Sequence, residues 1–236
     1  GLIMIPLFTF ALTPSIFHSA PEIVGTSLFG VFLNALSGTY AYVKQHRVYF
    51  KAAIPFAIAI LPGSILGSLV SDYFTGPTFS LSYGIFILII SAIMYWNSSN
   101  KKAIATNFDE TLFIARKKLG IILSMFVGFI SSIFGIGGGI IHVPVMIYAL
   151  AFPPHMATAT SHFVLAVSSF MGVTSHIFLN HIVWIPALAV GFGAVIGAQI
   201  GARLSKKTKP RSIILLLCIS LFLLGIRMIV ESNLLF

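Results

Sequence analysis

The chain has 236 residues, 58% hydrophobic and only 8% charged, with a net charge of +9 from 14 Lys and Arg against 5 Asp and Glu. Soluble domains carry about 25% charged residues, so this composition, with a mean hydropathy of +1.03, excludes a soluble globular enzyme, a disordered tail and a collagen-like fibre. The basic residues stand in short clusters between long apolar runs, the pattern of cytoplasmic loops in a membrane protein rather than of a nucleic-acid footprint.

A helix needs about 20 apolar residues to cross a bilayer core. The charge-free runs are 2–12, which is short, and then 23–43, 52–71 and 78–97. Lys101, Lys102, Asp109, Glu110, Arg116, Lys117 and Lys118 mark a polar loop. From Leu119 to Ala202 there is no Asp, Glu, Lys or Arg, and Gly and Pro divide that stretch into 119–134, a Gly-rich break, 140–152, 157–180 and 183–202. Lys206, Lys207, Lys209 and Arg211 form a basic loop before the last run, 212–230. That run holds the single cysteine, Cys218, which excludes an intrachain disulfide and a thiolate metal cage.

The chain repeats itself. Gly139-Ile-Ile-His-Val-Pro144 matches Gly1-Leu-Ile-Met-Ile-Pro6 at an offset of 138 residues. At an offset of 134, Thr160-Ser161 matches Thr26-Ser27, Ser168 matches Asn34, Gly172 matches Gly38, and Gly197 and Gly201 match Gly63 and Gly67. A period this long suits a transporter half rather than a solenoid. Charge orients the halves. Lys44, Arg47 and Lys51 follow run 23–43, whereas the loop at Asn180-His181, after run 157–180, has no Lys or Arg. Basic short loops stay cytoplasmic, so the halves have inverted topology.

The expected fold is therefore all-α: a polytopic integral membrane protein of two inverted-topology repeats, with short Gly-broken or re-entrant helices. The first repeat covers 1–100, a cytoplasmic linker 101–118 and the second repeat 119–236. Runs 119–134 and 140–152 must leave and return, placing Gly135–Gly139 at depth. The first repeat has no counterpart of run 119–134, and an initial segment is expected ahead of Gly1.

Gly135-Ile-Gly-Gly-Gly139 frees backbone groups that lipid cannot satisfy, and the helix that follows favours an anion at its amides. Gly137, Gly138, Gly139 and Ile140, with Gly1 from the first copy, are candidate anion donors. Thr160, Ser161, Thr26 and Ser27 add hydroxyls near helix starts, where capping is the alternative role. Asn34 and Ser168 lie two turns further on, and Gln199 faces an apolar counterpart, Ile65. For all of these, interhelical packing is the structural alternative. Gly63/Gly67 and Gly197/Gly201 read as helix-packing motifs. His142 and His162 are proton-coupling candidates, since no membrane carboxylate is available. His162 and His176 share a helix face and admit a haem or quinone reading, although His142, His162 and His176 match Met4, Leu28 and Tyr42 in the other copy. No cofactor or metal is implied. Ser161-His162 are adjacent and point apart on a helix, which disfavours a protease pair.

These residues resemble the TauE/SafE family of sulfite and organosulfonate exporters. The resemblance rests on Gly135-Ile-Gly-Gly-Gly139 with Val143-Pro144, on Pro153-Pro154-His155 before Ala159-Thr160-Ser161, and on Gly197-Ala-Gln-Ile-Gly-Ala-Arg-Leu204 with Gly225-Ile-Arg227. It implies a multi-pass transporter of the cytoplasmic membrane moving sulfite, organosulfonate or a similar anion, as export coupled to the proton gradient. Uptake by a permease and passive conduction by a channel are the alternatives. The implied partners are the small anion and the lipid bilayer. Homo-oligomerisation stays open and nucleic acid is excluded.

Overall fold

A computed structural model describes residues 8, 16–17, 20–71, 77–99, 108–133 and 138–234. The elements in these segments are all helical: α1 Ala20–Lys44, α2 Phe50–Ser71, α3 Pro77–Ser99, α4 Glu110–Ile133, α5 Gly139–Pro144, α6 Pro154–Phe178, α7 Trp184–Lys207 and α8 Pro210–Leu234. Among the described residues, five stretches are long and apolar enough to cross a membrane: Glu22–Lys44, Phe50–Gly67, Pro154–Phe178, Trp184–Ser205 and Arg211–Val230. Large apolar side chains cover the outside, among them Ile58, Phe192 and Ile185, as lipid rather than water requires.

Helix boundaries follow local chemistry. Proline opens α3, α6 and α8, where its missing N–H costs nothing. Asn180 closes the turn after α6 at φ 55°, a conformation Asn tolerates. α4 differs from the sequence expectation, starting at Glu110 rather than in the apolar run. The cause is Asp109, whose Oδ1 accepts from the backbone N–H of Thr111 (2.9 Å) and Leu112 (3.2 Å) and from the Thr111 hydroxyl (2.6 Å). These bonds hold its carboxyl below the usual range. The cationic stretch 116–118 is therefore helical, inside the segment expected to be linker.

α4 and α5 form a tight antiparallel hairpin. A Cβ on Gly138 would touch Ser131 Oγ, Ser124 bonds His142, and Arg116 Nη1 donates to Ala149 O at 2.9 Å. Gly138, at φ 74°, turns the chain into α5. Pro144 then removes one helical donor, and the helix widens into a π turn over Val145–Ala149. The α5 segment and its π turn have 6 and 5 residues, so together they rise only about 16 Å, roughly half a bilayer. Around this short element sits the main core, with Phe56 and Ile60 of α2, Phe113 of α4, Met146, Ile147 and Leu150 after α5, and Val164 of α6.

Most of the described charged residues gather at one end of the bundle, with Glu22 and Arg227 as exceptions. Arg47, just past α1, reaches His155 Nδ1 at the start of α6 (2.8 Å) and donates to Ser205 Oγ at the end of α7 (3.1 Å). Burial lowers its pKa, with Tyr42 acting the other way. Lys51 at the start of α2 pairs with Glu110 at the start of α4 (2.6 Å), and Tyr49 donates to the same carboxylate (2.9 Å). The two donors, Lys51 first, depress the Glu110 pKa. This is the basic end.

Candidate functional site

A cavity of about 440 Å³ opens at the end opposite the basic one, between α1, α2, α4 and α6. Ser64 of α2, Ser131 and Ser132 of α4, and Ser168, Ser169 and Ser175 of α6 line it among apolar side chains such as Leu28 and Leu61. Ser168 and Ser169 donate to Leu165 O at 3.1 and 2.6 Å. Ser131 Oγ is buried with no hydrogen-bond partner among the described residues. It sits against the left-handed Gly138, where a Cβ would come to 3.2 Å from it. Ser168, Ser169 and Ser175 give their protons to backbone carbonyls, so the Ser131 hydroxyl is the buried donor left over among the described residues, in a ligand-sized pocket whose described lining holds no Lys, Arg or carboxylate. A second cleft, about 550 Å³ between α3 and α8, is lined almost wholly by apolar groups. Its Ser91 hydroxyl is already given to Cys218 O at 3.0 Å, and Tyr95 and Cys218 are the other side chains in its lining with polar atoms.

Directly behind the cavity, on the basic side, lies His142. It is 1% exposed and sits edge-on to Phe56, ring centroids 5.7 Å apart. Its Nε2 is 3.0 Å from Ser124 Oγ and its Nδ1 is 3.1 Å from Ser161 Oγ. Ser124 gives its own proton to Gly120 O at 2.7 Å, so it must accept from His142, and Nε2 carries the hydrogen. Ser161 has two outlets, the imidazole Nδ1 and Met146 Sδ at 3.3 Å. With a neutral ring, Ser161 donates to Nδ1. With a charged ring, Nδ1–H donates to Ser161, whose proton turns to Met146. Both charge states keep their hydrogen bonds without moving a heavy atom.

The other expected residues divide by location. Ser168 lines the cavity, and Gly138 stands beside Ser131 Oγ in its wall. Gly139 packs against Leu165, and Ile140 occupies the first turn of α5. Gly1 and Gly137 fall outside the described residues. Thr26 and Thr160 do not face the cavity group. Thr160 Oγ1 accepts from the backbone N–H of Tyr49 (3.1 Å) and Thr26 Oγ1 from that of Val183 (3.0 Å). Thr160 thus ties down the connection between α1 and α2, and Thr26 that between α6 and α7. Ser27 Oγ is buried without a partner among the described residues. Asn34 donates to Ala194 O at 3.3 Å, and Gln199 donates to Ser37 O and Oγ at 2.8 and 2.9 Å. Both belong to a polar seam between α1 and α7. His162 gives its Nδ1–H to Thr158 O (3.1 Å) and meets Tyr42 edge-on. It packs where Gly38 leaves room.

Ser131, Ser132 and Ser64 went unnoticed in the sequence. Ser64 corresponds to Ala198, and a mate of Ser131 would lie ahead of the first copy's start, so repeat matching passes over them. Their one signal is a hydroxyl pair just before a glycine run in charge-free sequence.

The hydroxyl of Thr160 carries a stability prediction. Thr160→Val leaves the Tyr49 N–H unpaired and should cost about 1–3 kcal/mol, read as a lower thermal midpoint in detergent, with Thr160→Ser restoring it. A wild-type midpoint with impaired transport would return Thr160 to a direct role at the substrate.

Comparison with known proteins places this architecture. The family model described as sulfite exporter TauE/SafE matches residues 1–228. The chain is 34% identical to the probable membrane transporter protein YunE of Bacillus subtilis, over 98% of this chain and 90% of that protein. It is 28% identical to a probable membrane transporter protein of Methanocaldococcus jannaschii, over 97% of this chain and 87% of that one. No solved structure matches the chain significantly. Matched over nearly its whole length, the chain belongs to the TauE/SafE family of multi-pass membrane transporters.

Proposed function

We propose that this transporter carries a small sulfur-containing oxyanion, such as sulfite or an organosulfonate, across the cytoplasmic membrane, as export coupled to the proton gradient. The observation that carries this is the unpartnered Ser131 hydroxyl beside Gly138 in a serine-lined cavity free of carboxylates. An oxyanion is held there by hydroxyl and backbone dipoles, which gives modest affinity and ready release. The printed description of the family, sulfite exporter, favours the same substrate class. His142 is the proton carrier, bonded to Ser124 and Ser161 two helical turns below the cavity's Ser131 and Ser168, and equipped for both charge states.

The reading includes two inverted halves. α1 and α6 have 25 residues each with bounds 134 apart. Arg47 at the end of α1 meets His155 at the start of α6, so these equivalents run in opposite directions. The reciprocal bonds of Thr26 and Thr160, each to the other half, supply further support. By the positive-inside rule the basic end faces the cytoplasm, and the cavity opens to the outside.

The test is flux of sulfite and methanesulfonate into and out of proteoliposomes under an imposed pH gradient. Ser131→Ala should lower the rate roughly tenfold, the value of one hydrogen bond to a charged ligand. A folded protein that moves no tested oxyanion would overturn the proposal.

A further inference from the structure

Among the described residues lining the cavity, His176 is the single titratable side chain. It stands in the last turns of α6, at the mouth. Its ring lies 5.6 Å from that of His181, on the connection to α7, with the planes at 51°. The His181 N–H donates to His176 O at 2.9 Å, and Asn180, with φ 55°, folds the chain back to allow it. The two rings are thus fixed side by side. Gly25 of α1 seats them: a Cβ there would strike His181 O and lie 3.1 Å from His176 Cγ and Nδ1. Both Nδ1 atoms are buried, and neither has a hydrogen-bond partner among the described residues.

A buried imidazole nitrogen without a partner costs free energy, and here two of them stand together, His176 in the lining of a ligand-sized cavity and His181 beside it. The hydroxyls further in carry no charge, and neither Lys nor Arg lines the cavity. A proton taken from the adjoining solution converts an imidazole into a cation with two N–H donors. We propose that His176 and His181 form an entry station that binds an oxyanion at the cavity mouth when a proton is bound, so that anion and proton are captured together. The surrounding groups permit this. His181 is the titratable neighbour from the connection. On α1 the turn against the pair carries Gly25 and, three residues earlier, Glu22, which has interactions of its own. The cavity walls from α2 and α4 add Leu61, Ser64, Ile65, Ser131 and Ser132, none of them titratable. The sign follows: the station fills as pH falls, and a bound anion raises the proton affinity of the pair. Its place in transport rests on the proposed function above, whereas the binding itself does not.

The experiment is nuclear magnetic resonance of the full chain in lipid nanodiscs with ring-¹⁵N histidine, titrated with methanesulfonate, whose own charge is constant across the range used. His176→Gln and His181→Gln assign the two ring signals. Both should shift on titration at about pH 5.5 and stay still at about pH 8, with half-saturation rising roughly tenfold in either variant. The wild-type titration stands alone should a variant not fold, because only 7 histidines contribute. Silence at both pH values, equal shifts at both, or a response to zinc chloride at the higher pH with none to methanesulfonate would each overturn the station. Methanesulfonate flux in the same preparation separates the two readings. Ring shifts without flux keep the station and remove the transport proposal, and flux without ring shifts removes the station alone.

Discussion

Gly63→Ala is expected to destabilise the protein by about 3 kcal/mol or more, while Gly197→Ala, the same change at the matching position of the other half, leaves stability unchanged or slightly raised. A Cβ at Gly63 would run into the backbone carbonyl of Met125, and one at Gly67 into that of Phe129. From the other side, Gly128 of α4 faces Ile60 O and Ser64 N. The obstacles are backbone atoms, which have no rotamer to change, so α2 and α4 must separate. That separation pulls on the Ser131 wall of the cavity and on Ser124 beneath it. At Gly193, Gly197 and Gly201 a Cβ meets nothing within 4 Å among the described residues. Alanine there gains about 0.5–1 kcal/mol of helix propensity over glycine. Thermal unfolding in detergent, followed by loss of the monodisperse peak, reads both. Equal midpoints for the two variants would contradict the α2–α4 contact.

The glycine pair also shows where sequence reasoning stops. Gly63-x-x-x-Gly67 and Gly197-x-x-x-Gly201 are the same motif, and nothing local says that one is packed against backbone and the other open. That depends on which neighbour lies across, a tertiary fact. The apolar runs were legible because lipid imposes a length and forbids charge, and most of the helices coincide with them. α4 departed from its run because a cap decides a helix start more sharply than charge does. Asp109 supplies acceptors to two backbone N–H groups, and the cationic turns after it remain helical because they sit outside the apolar span.

The candidate site was legible in part for a related reason. Repeat matching finds residues that both halves keep, and these include structural ties. Thr26 and Thr160 are such a pair, each holding a backbone N–H in the opposite half. The cavity residues Ser64 and Ser131 have no hydroxyl at the matching positions of the sequence. Asymmetry is what repeat comparison discards. In the sequence His142 was legible as a proton-coupling candidate for want of a membrane carboxylate, but its hydrogen bonding needs Ser124 of α4 and Ser161 of α6, 18 and 19 residues away, brought to its two nitrogens.

His142→Gln is expected to separate transport from the proton. Gln offers an amide to Ser124 and Ser161, so the fold should persist, but it takes no proton at physiological pH. Flux driven by a pH gradient should fall by at least about tenfold, the scale of a lost charge-assisted hydrogen bond. Exchange of labelled for unlabelled anion, which needs no net proton movement, should continue near the wild-type rate. His142→Ala is harsher. It leaves Ser161 without its nitrogen partner and opens space beside Phe56, at a cost of about 2–4 kcal/mol, so its transport defect would mix coupling with stability. Met146→Leu probes the other outlet. It removes the sulfur that takes the Ser161 proton when the ring is charged, and it should weaken the charged state alone, moving the pH dependence of flux toward lower pH with the maximal rate preserved. Gradient-driven flux at the wild-type rate in His142→Gln would exclude this residue as the carrier, and the proton would then have to cross with the anion at the cavity itself.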